Sequence, residues 1–212
     1  LKVGDYTSEN AVDTKCSGKG RPRITIRDCD VSGFRGPIGN AAAFNIKEAC
    51  EAEIDRCTIH DCEIGLRLRA PAHVRVTNCV LYDNDTHCRY EDKIPLLYLT
   101  HCTFGRVTGN GRGVFQEQRP AIELRVLGCL FLGDKPRQAA DRSNRATEAG
   151  FFMNVEKGDY RLAKAVPLEH NGPVSDEALL KSAKAAATRA SNKGAKLKRA
   201  AEADHDARRA EP

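Results

Sequence analysis

The chain has 212 residues, 41% hydrophobic and 30% charged, with a formal net charge of +5. That length suits one domain with an appendage, and no run of eighteen apolar residues offers a transmembrane helix. From Ser175 onward nine basic residues face six acidic ones without an aromatic residue or a sustained apolar face, so a solvated tail is expected there, with no nucleic-acid or membrane surface.

Residues 1–20 read as the end of a coil. Glu9, Asn10 and Asp13 crowd a short strand, followed by Lys15 and a Gly/Pro/basic turn at 18–23. A template then begins with Ile24, Ile26, Cys29 and Val31. It returns as Ala52, Ile54, Cys57, Ile59, then as Val74, Val76, Cys79, Leu81. The last copies are Leu97, Leu99, Cys102, Phe104 and Leu124, Val126, Cys129, Phe131. Every copy keeps offsets of two, three and two, and the cysteines lie 28, 22, 23 and 27 residues apart. A fixed short template at such a period is the signature of a solenoid.

Alternating apolar residues indicate strands, and each period is too short to add a helix. Second apolar stretches lie at 43–46, 65–68, 87–90 and 113–116, with turns at 33–40, 70–73, 83–86 and 109–113. Two or three parallel strands per coil, over about five to six coils, predict an all-β right-handed parallel β-helix spanning 1–170. The template cysteines become an internal ladder of free thiols, the common role of buried Cys. Cys16, Cys50, Cys62 and Cys88 are less constrained, and Cys57 and Cys62 have no second pair at zinc spacing. Residues 136–148 read as a loop, Phe151, Phe152 and Val155 as a last strand, and 171–212 as a helical or disordered tail. A first coil starting at Leu1 would leave a bare sheet edge, so N-terminal coils of a longer domain are expected to precede it.

With this pattern the chain resembles the pectate-lyase-like superfamily of right-handed β-helices over residues 1–170. Gly158-Asp159-Tyr160-Arg161-Leu162, followed by Val166 and Pro167, is similar to the closing segment of many bacterial β-helix proteins. With Val12, Phe44, Leu66, Cys88 and Val114 pointing inward, one outward column reads Asp13, Asn45, Arg67, Arg89, Phe115. The next reads Lys15, Lys47, Arg69, Glu91, Glu117. Arginines on such a face suit carboxylates, which they grip through two parallel hydrogen bonds. Lys15, Asn45, Arg67, Arg69 and Arg89 are therefore the candidate substrate-binding residues.

Ser8-Glu9-Asn10-Ala11-Val12-Asp13 resembles the acidic calcium-binding segment of family-nine pectate lyases, with Glu9 and Asn10 where that family has Asp and Ala11 where it has Gly. The resemblance implies Ca²⁺ held by Glu9, Asn10 and Asp13. It also implies proton abstraction from C5 of a uronate, with Lys47 or Arg67 as base; Asn45 stands at that family's lysine position. No Asp-Asp pair suited to glycoside hydrolysis falls on a predicted groove strand, and His60, His73, His87 and His101 read as surface residues. The expected protein is a secreted or cell-surface monomer that engages an acidic polysaccharide, with β-elimination as the implied chemistry. A non-catalytic adhesin, envelope or carbohydrate-binding β-helix is the competing class.

Overall fold

The computed structural model describes residues 8–16, 20–36, 39–109 and 113–164. The tail from 171 and the Val166-Pro167 turn lie outside them. Strand β1 (Asn10–Asp13) precedes four three-strand coils. The first is β2 (Arg23–Arg27), β3 (Asp30–Ser32) and β4 (Ala42–Ile46); the second is β5 (Glu51–Asp55), β6 (Thr58–His60) and β7 (Ile64–Arg69). The third is β8 (His73–Thr77), β9 (Val80–Tyr82) and β10 (Thr86–Glu91); the fourth is β11 (Leu96–Thr100), β12 (Thr103–Phe104) and β13 (Phe115–Glu117). A partial coil, β14 (Glu123–Leu127) and β15 (Leu130–Leu132), leads to β16 (Arg145–Thr147) and the antiparallel hairpin of β17 (Phe152–Asn154) and β18 (Asp159–Leu162).

Equivalent strands pair in parallel from coil to coil and build three sheets. The first is β2-β5-β8-β11-β14, the second β3-β6-β9-β12-β15-β16, and the third β1-β4-β7-β10-β13. The template explains the first two. Its opening two residues lie in register down the first sheet, Ile26 on Ile54 on Val76 on Leu99 on Val126, and its last residue lies in register down the second. Their side chains fill one continuous core. Each fully buried aliphatic there contributes roughly 1.5–3 kcal/mol.

The cysteine marks the corner between these sheets. The residue before each one is left-handed: Asp28, Arg56, Asn78 and His101 have φ between 51° and 55°, and Gly128 has φ 63°. That kink turns the thiols inward, one above another, with Cys29 partly exposed and the other four buried. The Cys57 N–H donates to Cys79 Sγ and the Cys102 N–H to Cys129 Sγ, each at 3.4 Å. All nine cysteines are free thiols, and seven are buried.

Residues 136–148 are not simply a loop. Ala139, Asn144 and Ala146 sit at the first, third and fourth template offsets, a degraded sixth copy. Ala139 is buried, Ala146 pairs with Phe131 in β16, and Asn144 takes the cysteine's place, accepting from the Cys129 N–H at 2.9 Å. The copy escaped the sequence pattern because no branched or aromatic residue marks it. Beyond it the β17–β18 hairpin folds back over the second sheet, packing Phe152 and Tyr160 against Leu130. Gly105 makes that possible, since a Cβ there would stand 2.3 Å from Tyr160 Cζ.

Candidate functional site

The outer face of the third sheet follows from its register. Val12, Phe44, Leu66 and Cys88 align inward as expected, so Asp13, Asn45, Arg67 and Arg89 align outward. The last coil departs from the expected register by one residue. Cys88 pairs with Phe115, not Val114, and Arg89 therefore lies beside Gln116. Phe115 turns inward because its ring packs edge-on against Phe104 at 5.3 Å and Phe131 at 6.2 Å between centroids. The same slip carries Glu117 off the outer column and beneath Tyr90, whose hydroxyl donates to it at 2.8 Å. Burial and this carboxylate push the Tyr90 phenol up, while the Tyr90 hydrogen bond holds the Glu117 carboxyl below the usual range.

At the N-terminal end of the face, Asp13 accepts from Asn45 Nδ2 at 3.0 Å and pairs with Lys47 Nζ at 2.9 Å. The Thr14 hydroxyl donates to the Lys47 carbonyl at 2.9 Å and accepts from its N–H at 2.8 Å, which fixes Lys47 beside Asp13. Lys15 lies exposed just beyond. Asn10 does not join them. It pairs with Ala42, two residues before Val12, and so belongs to the inward column, whereas Glu9 lies 4.0 Å from Arg67 Nη1.

These donors do not fit a calcium ion, which takes six to eight converging oxygens. Asn10 faces away from Asp13, and the Asp13 and Glu9 carboxylates each lie beside a cation. Among the described residues no group of three or more His, Cys, Asp or Glu side chains could hold a metal.

The centre of the face is a knot of arginines. Glu91 has a side chain only 6% exposed, and three guanidiniums surround it. Arg67 Nε lies at 3.1 Å, Arg89 Nε at 2.8 Å and Arg69 Nε at 3.4 Å from its oxygens. Only Arg67 makes a well-directed hydrogen bond to Glu91; the buried Nε–H groups of Arg69 and Arg89 lie near its oxygens but point off them. Arg89 also reaches Asn40 Oδ1 at 3.4 Å. Two more carboxylates lie at the edge of the group, Glu9 at 4.0 Å from Arg67 and Asp92 at 4.0 Å from Arg69, so the three guanidiniums share one buried carboxylate and two exposed ones. Beside them, Asn45 Oδ1 and Gln116 Oε1 are buried acceptors without donors.

The arrangement combines arginines crowded on one carboxylate with amide acceptors that lack donors, on a regular sheet. Sequence reasoning found its arginines but missed Gln116 and the central place of Glu91, because both depend on register and reach across coils. His87, expected at the surface, is instead fully buried at the corner between the second and third sheets. Its Nε2 lies 3.0 Å from the Gly105 carbonyl and its Nδ1 3.2 Å from Asn84 Nδ2, and burial lowers its pKa to about 4. The described residues contain no helix long and apolar enough to cross a membrane.

No curated protein and no solved structure matches the chain. A family model described as the right handed beta helix region matches residues 6–149, more than half of the chain. The stacked coils are those that such a model describes, and the chain belongs to the right-handed β-helix family.

Proposed function

We propose that this protein binds an acidic polysaccharide outside the cell, along the outer face of the third sheet, with Arg67, Arg69 and Arg89 as its carboxylate ligands. The observation that carries the reading is the convergence of three guanidiniums on the one buried carboxylate of Glu91, with the Arg69 and Arg89 Nε–H groups close to it but not directed at its oxygens. A buried donor without an acceptor costs about 1–3 kcal/mol, and an oxygen arriving from a ligand relieves that cost. A uronate supplies the needed groups together: carboxylate oxygens for the arginines, and hydroxyl donors for Asn45 and Gln116.

Binding is favoured here over β-elimination. Lys47 is tied to Asp13 at 2.9 Å instead of standing free over the face where a sugar ring would lie. Arg67 stays protonated in almost all settings and serves as a donor to anions. The family's calcium chemistry would need donors that converge, and Glu9, Asn10 and Asp13 diverge.

Retention on immobilised polygalacturonate and alginate, against neutral dextran as control, tests the proposal. Arg67→Ala and Arg89→Ala should each weaken retention about tenfold, which is about 1.4 kcal/mol, and Lys15→Ala much less. The absorbance of unsaturated uronate products should stay flat with and without calcium. Equal retention on dextran, or retention indifferent to both arginine changes, would overturn the binding reading. Product absorbance lost on Lys47→Ala would restore the lyase.

A further inference from the structure

The thiol column is the strongest constellation outside that face. Cys29, Cys57, Cys79, Cys102 and Cys129 occupy one corner of five successive coils, held in register by the pairs on either side. Arg27 lies opposite Asp55 and Asp30 opposite Thr58, so Cys29 lies beside Cys57. The Thr58 N–H donates to the Cys29 carbonyl at 2.8 Å, which seats Cys57 directly beside Cys29. Each thiol also has the carbonyl two residues before it within reach, at 3.1 Å for Cys29 and 3.4 Å for Cys57. Packing alone asks for a small apolar side chain at this corner. An unbroken column of the softest ligand available goes beyond that.

We propose that the column is a binding site for a soft monovalent cation, copper(I) in chemical class, held in two-coordinate fashion between sulfurs of adjacent coils and entering at Cys29 and Cys57. Three considerations select this ion.

The first is spacing. Neighbouring strands stack about 4.8 Å apart, close to twice a metal–sulfur bond of about 2.3 Å. A cation midway between two rungs therefore needs little movement, whereas a disulfide at about 2.05 Å must draw the coils together. The second is coordination number. Zinc asks for four ligands, and among the described residues no three or more His, Cys, Asp or Glu side chains converge so as to hold one metal; two-coordination needs only the two stacked sulfurs.

The third is charge. The column is buried in the apolar core, with Cys57, Cys79, Cys102 and Cys129 at most 1% exposed. An added charge there is costly. Exchange of one proton for one monovalent cation, RSH + M⁺ → RS–M + H⁺, with the neighbouring thiol donating a sulfur lone pair to M, leaves the net charge unchanged. Soft thiolate ligands select copper(I) among the common metals. Cys29 is the one partly exposed rung, which makes it the point of entry.

The test is anaerobic titration of the full chain with copper(I) against a competing chelator, with circular dichroism to follow the fold. Expected are binding with the β-sheet signal retained, release of one proton per cation, and two sulfur neighbours at about 2.3 Å by X-ray absorption. Zinc under the same conditions should not bind. Cys57→Ala should lower copper(I) affinity at least tenfold; Cys29→Ser, at a partly exposed position, serves if Cys57→Ala does not fold. The double variant Cys16→Ser with Cys50→Ser should leave affinity unchanged. The proposal is overturned by binding that melts the sheet signal, by three or four sulfurs per cation, by affinity that follows Cys16 and Cys50, or by no binding in competition with the chelator.

Discussion

His87 shows how one buried side chain couples the corner to pH. The neutral ring satisfies both its neighbours, Nε2 donating to the Gly105 carbonyl and Nδ1 accepting from the Asn84 amide. A second proton would set two donors against each other in a fully buried place, and the pKa is accordingly lowered from 6.5 to about 4. For a histidine depressed in this way, the unfolded chain takes up the proton first. The contribution to stability is therefore complete above pH 6.5 and is lost as pH falls toward 4, to an extent of roughly 3 kcal/mol. Urea midpoints measured between pH 7 and 4.5 should fall accordingly. His87→Gln, which keeps one donor and one acceptor, should flatten that part of the profile; an unchanged slope would place the proton uptake elsewhere.

Among elements, the closing turn of the ladder is the informative one. Asn144 accepts from the Cys129 N–H and donates to the Val126 carbonyl at 2.7 Å, so one amide terminates both a corner and a strand. Asn144→Leu should cost about 1–3 kcal/mol by leaving those groups unpaired. Asn144→Cys should cost less, since a thiol in that place accepts the equivalent N–H, as Cys79 and Cys129 do in earlier coils. Thermal melts of the two variants decide it, and equal losses would mean that the cap does not act through this bond.

The same elements show what the sequence could tell. The two template sheets were legible because their inward residues must repeat at fixed offsets wherever the corner is fixed. The third sheet was legible as far as β10. Beyond it, the longer connection into β13 released the register, and Phe115 joined Phe104 and Phe131 inside. The arginine face was legible as a composition of outward residues. Its wiring around Glu91, and the separation of Asn10 from Asp13, were not, because reach across coils leaves no periodic trace.

As a whole molecule the solenoid is nearly one-dimensional, each coil resting on its two neighbours. Cys79 lies at the middle of the ladder and is fully buried. Cys79→Asp would put an unpaired carboxyl there at a cost of several kcal/mol. The damage should spread along the stack. Native-state hydrogen exchange should show protection lost first in β5, β8 and β11 and retained longest at the β17–β18 hairpin. Uniform loss across all strands would mean that the coils fold as one indivisible unit.

The left-handed corner residue has a further consequence. It makes each coil end as it began, in the same place and direction on the next level. The stretch 73–95 carries a full set of parts: the core aliphatics Val74, Val76, Leu81 and Ile94, with Cys79, Arg89 and Glu91. Copied in tandem, it would dock on itself through contacts already present between neighbouring coils. Each copy would lengthen every column by one step, about 4.8 Å. Genes that gain or lose such a segment would adjust reach without redesign, and this molecule can be read as a ruler whose graduations are its cysteines.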